Sequence, residues 1–238
     1  DAGLLREIVR VAAPLSGMRL LQTFGRFPFL FVLGVLGTPT LAAYAIGRRV
    51  MLLALMPAWG FSTAASTLVG QQLGSGDGDS ATEYGWQALR VALAVQLAVA
   101  AVLVVLARPI VSLFGTEYPQ LAAQFVRVFG LLVAGFSISR TMRGSLRGAG
   151  DTRWPLYGTV LGGYCFRLPV AMLALPASFV VTIPLVGATV SPGLGLGLPV
   201  IFAALVGDYY LTAAVNTGRF WTGKWRDVAR EAADERSD

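Results

Sequence analysis

The chain has 238 residues, of which 55% are hydrophobic and only 13% are charged, and its formal net charge is +6. A soluble domain carries about 25% charged residues, so this composition indicates a chain that is largely solvated by lipid. The basic residues are scattered and no nucleic-acid-binding motif accompanies them, which argues against nucleic acid as a partner. Because there is no histidine and Cys165 is the single cysteine, the sequence excludes a histidine-based metal site and an internal disulfide.

Six hydrophobic segments, separated by turns rich in glycine, proline and charge, are long enough to cross a hydrocarbon core of about 30 Å as helices. They cover residues 8–33, 41–69, 84–107, 121–139, 154–185 and 196–221. Their apolar residues surround the segment instead of alternating, which excludes transmembrane strands. We therefore predict an all-α fold, an integral membrane bundle of six helices over residues 1–221. The tail, residues 222–238, is expected to be either an amphipathic helix on the membrane surface or a disordered terminus.

The distribution of arginine and lysine predicts the orientation of the bundle. Six segments place both ends on the same side, and most basic residues of the connections lie there. They are Arg6, Arg10, Arg140, Arg143, Arg147, Arg153, Arg219, Lys224, Arg226, Arg230 and Arg236. Arg108 is the one clear case on the opposite side, although the acidic connection 71–83 does not follow the pattern. We expect a multi-pass protein of the plasma membrane with both ends of the lobe in the cytoplasm.

Two stretches of sequence resemble the multidrug and toxic compound extrusion (MATE) transporters. Residues 146–155 read LRGAGDTRWP, which is the more specific signal. Supporting strings are LAAYAIG at residues 41–47, GFSTAASTLVGQ at residues 60–71 and LGSGD at residues 73–77.

The resemblance implies an architecture and a function. Members of the family have two lobes of six helices each, so this chain resembles the C-terminal lobe. Its partner would be a missing N-terminal lobe or a second copy of the chain. The family exports organic, often cationic or amphipathic, compounds by antiport against an inward flow of Na⁺ or H⁺. We therefore expect a small organic substrate, alternating access, and no cofactor apart from Na⁺ or H⁺ as the coupling ion.

Ionisable residues inside a bilayer are costly, so each of them is a functional candidate. Asp208 is the only acid within a predicted segment, and it lies roughly 18 Å along its helix at 1.5 Å per residue, near the middle of the membrane. Arg19 and Arg167 fall at a similar depth, and either is a candidate partner for it. Asp208 is a candidate to bind Na⁺ or carry a proton. The competing interpretation is a buried ion pair that locks two helices together.

A polar stripe on the first segment is the second candidate feature. Arg19, Gln22 and Arg26 are spaced by i, i+3 and i+7 and therefore share one helix face. Such a face avoids lipid, so we expect it to line a central cavity. In the sodium-coupled branch of the resembled family, two acids would fall at Gln22 and near Phe136, and neither acid is present. The resemblance thus places the coupling acid in the absent lobe or at Asp208.

Three tyrosines, Tyr164, Tyr209 and Tyr210, lie near the proposed ionic cluster by depth. Tyr164 and Tyr209 are candidates to contact flat cationic compounds through cation–π interactions. The competing interpretation is that these aromatic residues pack in the bundle or face lipid.

Arg48, Arg49 and Arg127 are expected to extend to the membrane interface. The alternative for Arg48 or Arg49 is to face the bundle or Arg26, because adjacent residues point about 100° apart.

No catalytic constellation is present, because Cys165 has no histidine to activate it and the sequence has no Gly-Lys-Ser or Gly-Lys-Thr phosphate loop. We therefore do not expect an enzyme. One alternative is a flippase for lipid-linked sugars of the same superfamily, whose cavity would be more strongly cationic, as Arg19, Arg26 and Arg167 allow. A second alternative, of another class, is a membrane scaffold that transports nothing.

Overall fold

A computed structural model describes residues 12–13, 16–183 and 188–237 of the chain. The start of the first predicted segment, with Arg6, Arg10 and Pro14, lies outside the described residues. The helices are α1 (residues 16–24), α2 (Arg26–Val35), α3 (Thr38–Ala54), α4 (Met56–Gly74), α5 (Gly78–Val105), α6 (Ala107–Ser112), α7 (Pro119–Gly148), α8 (Arg153–Val160), α9 (Leu168–Met172), α10 (Leu198–Trp221) and α11 (Trp225–Ser237). A π-helical segment (Leu161–Arg167) joins α8 to α9, and two short strands are β1 (Val181–Ile183) and β2 (Ala188–Val190).

In the described part of the chain, three helices are long and apolar enough to cross a membrane, namely α5, α7 and α10. A fourth span is formed if α3 and α4, which are bent by 42° at a break, are taken together. Pro57 stands in the first turn of α4, and its missing N–H interrupts the hydrogen-bond ladder that would otherwise continue from α3. The same reasoning applies to Pro28, which follows the break between α1 and α2 at Gly25. The bundle therefore consists of the predicted helices with proline-associated breaks.

The fifth predicted segment is shorter than expected. Its helical run ends at Met172, and the chain then forms an antiparallel hairpin in which Val181 lies opposite Val190. Pro176 cannot continue a helix, and the β-branched run that follows it favours extended backbone. The prediction of a helix up to residue 185 is therefore wrong, and this hairpin is a small addition to a fold that is otherwise helical. Residues 184–187 lie outside the described residues.

The fourth predicted segment is longer than expected. α7 continues to Gly148, so the stretch from Arg140 onward belongs to a helix and not to a connection. The prediction that this helix ends at Ser139 is wrong. Arg140 is half-buried and Arg143 is buried, so these arginines lie within the lobe and do not mark the end of the helix. α7 is also the central helix, since it packs against α3, α4, α5, α6 and α10.

Glycines set the close contact between α7 and α4. A Cβ atom at Gly144 would collide with the backbone of Ser62, and one at Gly148 would collide with the backbone of Ser66. Small residues at such positions let helix backbones approach each other closely in a membrane. The part of α7 that carries the arginines is therefore held directly against α4.

The last helix, α11, is attached to the lobe by a buried aromatic contact. The Trp225 ring stacks on the Phe220 ring with centroids 5.0 Å apart, and its Nε1 donates a hydrogen bond to the Phe220 carbonyl at 2.9 Å. Arg226 then reaches Asp79 at 3.0 Å, near the start of α5. That start is capped by Asp77, which accepts hydrogen bonds from Ser80, and these bonds hold the pKa of the Asp77 carboxyl below its usual range.

Candidate functional site

The centre of the candidate site is an ion pair between α10 and the π-helical segment. A guanidinium nitrogen of Arg167 donates to Asp208 Oδ2 at 2.9 Å. Asp208 is 7% exposed, and the Thr212 hydroxyl lies 3.5 Å from its Oδ1 while also donating to the Gly158 carbonyl at 3.1 Å. A Cβ at Gly162 would collide with both Thr212 and Asp208. The glycine therefore permits the two helical elements to approach closely enough for the pair to form.

An interior cavity of about 200 Å³ adjoins this ion pair. Residues from α1, α2, α3, α7, α8, the π-helical segment and α10 line it, so the cavity lies where most of the bundle converges. Its charged lining residues are Arg26, Arg48, Arg140, Arg143, Arg167 and Asp208. Its aromatic lining residues are Phe29, Tyr44, Phe136, Tyr164 and Tyr209.

A second cavity of about 470 Å³ continues from the first along α7. Gln22, Arg140 and Arg143 line both cavities, which makes them neighbours. The second cavity adds Arg19 and Arg147, and its other lining residues are Met18, Trp59, Ser62 and Thr63. Its described lining contains no acid.

The structure brings the residues predicted from the sequence around these two cavities. Six of them line the first cavity, namely Gln22, Arg26, Tyr164, Arg167, Asp208 and Tyr209. Arg19 lines only the second cavity, and among the described residues the ion pair of Asp208 is with Arg167. Arg19 and Gln22 on α1, and Arg26 on α2 beyond the break at Gly25, therefore all line the cavities.

The two tyrosines and the cavity arginines also make contacts that fix their positions. The Tyr164 hydroxyl donates to the Leu21 carbonyl at 2.6 Å, which joins the π-helical segment to α1. The Tyr209 ring lies against the Phe136 ring with centroids 5.5 Å apart. The guanidinium of Arg140 also lies over the Phe136 ring, 5.4 Å from its centroid. Arg140 and Arg167 thus each stack on an aromatic ring, since the Arg167 guanidinium lies 5.5 Å from the Phe29 centroid.

Sequence reasoning missed four arginines of the site. Arg140, Arg143 and Arg147 were placed in a connection, and Arg48 was expected at the membrane interface, yet all four line the cavities. A signal was available for three of them, because their i, i+3 and i+7 spacing is the spacing that singled out the polar stripe on the first segment. No comparable signal distinguishes Arg48 from its neighbour Arg49.

The electrostatic balance of the site is strongly positive. Five arginines line the first cavity and four line the second, and since two of these are shared the total is seven. Asp208 is the only acidic residue in either described lining. Within the described residues no group of three or more acidic, cysteine or histidine side chains is placed to hold a metal ion. The site therefore has the chemistry of a cationic cavity with one internally paired carboxylate.

Comparison with known proteins identifies relatives of this chain. The MatE family model matches residues 14–173. The probable multidrug resistance protein NorM of Thermotoga maritima is 28% identical over 227 residues, which covers 94% of this chain and 45% of that protein. Multidrug and toxin extrusion protein 1 of Homo sapiens is 26% identical over 174 residues, which covers 72% of this chain and 30% of that protein.

A solved structure gives the same architecture. A crystal structure of MATE in the bent conformation superposes with a TM-score of 0.80 at 17% identity, covering 98% of this chain and 48% of that one. The chain thus spans about half the length of this structure, and half or less of the curated relatives. These relatives are named as resistance, extrusion and transport proteins and not as enzymes, in agreement with the sequence. Because the family model covers about two thirds of its residues, the chain belongs to the MATE family of integral membrane proteins.

Proposed function

We propose that the chain is the C-terminal six-helix lobe of a secondary active transporter that exports organic compounds. The observation that carries this proposal is the pair of adjoining cavities lined by arginines within an apolar bundle. Arg143 is 8% exposed and forms no ion pair with a described acid, and a cation buried without a partner lowers the stability of a folded protein. A scaffold that transports nothing would gain nothing in return for that cost, whereas a transporter needs polar groups around a central space.

The proposal includes a partner lobe and alternating access. A second six-helix lobe, either in the same polypeptide or as a second copy of this chain, would close the cavities on their remaining side. α1 and α2 present large exposed apolar side chains, of which Phe24, Phe27 and Phe31 are 63%, 65% and 59% exposed. Lipid or the partner lobe would cover them. Rocking of the two lobes about the central cavity would then expose it to each side of the membrane in turn.

We also propose that the lobe lies in the plasma membrane with both ends in the cytoplasm. Cys165 is the single cysteine, so Cys165→Ser provides a background for labelling. In that background, an impermeant maleimide should label Gly195→Cys in intact cells and Gly223→Cys only in opened cells. Labelling of Gly223→Cys in intact cells would reverse the proposed orientation.

Transport is proposed to be coupled to an inward flow of Na⁺ or H⁺. Asp208 is the candidate coupling group of this lobe, because it is a carboxylate at a cavity wall whose partner, Arg167, could be exchanged for a cation from solution. The sequence resemblance leaves the partner lobe as the other location for the coupling acid. Asp208→Asn removes the titratable group of this lobe. Loss of coupling in this variant places the coupling group at Asp208, and retained coupling places it in the partner lobe.

The test is gradient-driven efflux by the complete transporter, this lobe with its partner lobe, in proteoliposomes. A set of fluorescent organic compounds, which includes rhodamine 123, would be followed with and without imposed Na⁺ and H⁺ gradients. We expect one of the gradients to accelerate efflux and Asp208→Asn to reduce that acceleration. Asp79→Asn, which changes a carboxylate that is 93% exposed, is the matched control and should leave it unchanged. No gradient-dependent movement of any compound by well-folded protein would refute the proposal.

A second candidate function is a flippase for lipid-linked sugars. The seven arginines around the cavities favour it, because a lipid-linked sugar carries phosphate groups that arginine binds in a bidentate manner. The resemblance implies that the transported compounds are cationic or amphipathic. The arginines favour amphipathic compounds over cationic ones. Movement of a lipid-linked sugar across the bilayer, without efflux of soluble dyes, would select the flippase.

A further inference from the structure

We infer that the two adjoining cavities bind the carboxylate or phosphate group of an amphipathic organic anion. This inference rests on the proposed function, because it names the substrate class of the proposed transport site. The cavities are called the anion site below, and its central residues are Arg140 and Arg143, which line both cavities.

Charge balance is the first step of the argument. Asp208 is the only acid in the described lining, and Arg167 already occupies it through a contact of 2.9 Å. In the described part of the chain, none of the other six arginines of the lining forms an ion pair with an acid. A cavity with this balance attracts anions and repels organic cations, and its low-dielectric walls strengthen both effects.

Unused hydrogen-bond donors are the second step. Nε of Arg140 and Nε of Arg143 are buried and have no hydrogen-bond partner among the described residues. Arg143 is only 8% exposed, so bulk water does not satisfy it fully. A guanidinium presents five N–H groups in a planar fork that matches the two oxygens of a carboxylate or the oxygens of a phosphate. An oxyanion therefore supplies both the missing charge and the missing acceptors.

The third step is the rigid placement of these donors. Arg140, Arg143 and Arg147 share one face of α7, and α7 is held against α4 by the close backbone contacts at Gly144 and Gly148. Donors on a rigid helix bind a ligand with a smaller loss of conformational entropy than donors on a loop.

The neighbouring side chains indicate what else the ligand contains. The second cavity is also lined by the hydroxyl groups of Ser62 and Thr63, by Met18 and by Trp59. The Ser62 hydroxyl adds a donor for an anionic group, whereas the Thr63 hydroxyl already donates to the Trp59 carbonyl at 3.1 Å. Trp59 and Met18 provide surface for a flat apolar ring. The ligand class is therefore an aromatic or otherwise apolar molecule with at least one anionic group, and not a bare inorganic anion.

The competing explanation is that acids of the partner lobe neutralise the arginines. In that case the anion site would be filled by protein, and replacing a central arginine would lower stability without affecting any ligand. The two explanations differ in whether an added anion binds, so a binding experiment separates them.

The experiment measures dye binding to the complete transporter in nanodiscs of phosphatidylcholine. 6-Carboxyfluorescein and rhodamine 123 share a xanthene ring system and differ in charge, so they form a matched pair. We expect 6-carboxyfluorescein to bind, rhodamine 123 not to compete with it, and added salt to weaken binding. Arg143→Gln and Arg140→Gln should each raise the Kd for 6-carboxyfluorescein about tenfold or more, since each removes charge-assisted hydrogen bonds.

Control variants separate binding from folding. Arg49→Gln changes an exposed arginine next to Arg48, which lines the first cavity. We expect Arg48→Gln to weaken 6-carboxyfluorescein binding and Arg49→Gln to leave it unchanged. Arg143→Lys keeps the charge but not the fork, so its Kd should fall between those of the unaltered protein and Arg143→Gln. Binding is compared only among variants whose melting temperatures are equal to that of the unaltered protein. If Arg143→Gln does not fold, Arg140→Gln takes its place.

The lipid composition of the nanodisc distinguishes a soluble anion from a lipid head group. Phosphatidylglycerol that competes for the anion site raises the Kd for 6-carboxyfluorescein. If this rise disappears in Arg143→Gln, the anionic group that the site binds belongs to a lipid. If the rise is the same in Arg143→Gln, the anion is a soluble compound. Both results support the anion site.

Other results would overturn the inference. Tighter binding of rhodamine 123 than of 6-carboxyfluorescein at the same site, or equal effects of Arg49→Gln and Arg143→Gln, would show that the arginines do not select anions. No binding of 6-carboxyfluorescein while gradient-driven rhodamine 123 efflux continues would refute the inference and leave the proposed function standing. Arg143-dependent binding without gradient-driven movement of any compound would refute the proposed function and leave the anion site standing.

Discussion

The ion pair between Asp208 and Arg167 allows a quantitative prediction. The two atoms are 2.9 Å apart, and the side chains are 10% and 16% exposed. At an effective dielectric constant of about 20 the Coulomb attraction at this distance is about 6 kcal/mol, and desolvation of the two ions offsets much of it. Removing one partner of a buried pair costs about 3–5 kcal/mol, because the other charge stays buried. Since the cavity gives the remaining guanidinium some access to water, we expect Asp208→Asn to cost about 3 kcal/mol.

The assay is reversible chemical unfolding of the complete protein in mixed micelles, as a double-mutant cycle with Arg167→Gln. We expect the double variant to lose less than the sum of the two single losses, because no buried charge remains unpaired in it. Asp79→Asn removes a pair of similar length, 3.0 Å, in which the acid is 93% exposed, and should cost about 0–1 kcal/mol. A loss below about 1 kcal/mol for Asp208→Asn, or strict additivity in the cycle, would refute the reasoning.

Three further predictions concern the contact of α7 with α4, the attachment of α11 and the cap of α5. Gly144→Ala should lower the free energy of unfolding by about 1–3 kcal/mol, because its Cβ would collide with the backbone of α4. Gly60→Ala is the control, because the space beside Gly60 is open, and it should be neutral or slightly stabilising in the same unfolding assay. Trp225→Ala should raise hydrogen exchange throughout α11 because it removes the buried anchor of that helix, and Trp221→Ala, at a side chain that is 80% exposed, should not. Asp77→Ala should remove the cap of α5. In the unaltered protein that cap is fully present above the ordinary aspartate pKa of 3.8 and is lost as the pH falls through the lowered pKa of Asp77. An amide NMR titration measures this loss.

Each of these predictions has a contradicting outcome. Equal losses for the two glycine variants would mean that α4 and α7 are not in close backbone contact. Unchanged exchange in Trp225→Ala would mean that other contacts hold α11. A cap that is lost at a pH well above 3.8 would mean that the pKa of Asp77 is raised and not lowered.

Much of the helical architecture was predictable because it depends on local composition. The third and sixth predicted segments, residues 84–107 and 196–221, overlap α5 (Gly78–Val105) and α10 (Leu198–Trp221), although α5 begins earlier than predicted. Long apolar runs leave no alternative to helices in lipid, since every backbone N–H must be satisfied within the segment. The end of the fifth segment was not predictable in this way, because an apolar, β-branched stretch suits a hairpin as well as it suits a membrane helix.

The candidate site was predictable in part, because the sequence gives the depth of a residue along its helix but not the direction in which its side chain points. Depth along a helix can be counted from the sequence, so Asp208, Arg19 and Arg167 were placed near one another. Rotation about the helix axis cannot be counted across a break, because each residue turns the helix by about 100°. Breaks at Gly25 and Leu55 and the π-helical segment change that rotation.

The sequence by itself determined that this chain is a membrane-embedded helical lobe of the MATE family, with a net positive charge and one acid at depth. Only the tertiary structure decided that Arg167, and not Arg19, pairs with Asp208. It also decided that Arg140 and Arg143 face inward. The physical reason is that hydrophobicity and spacing specify which segments are helices, whereas close glycine contacts between non-adjacent helices specify which faces meet.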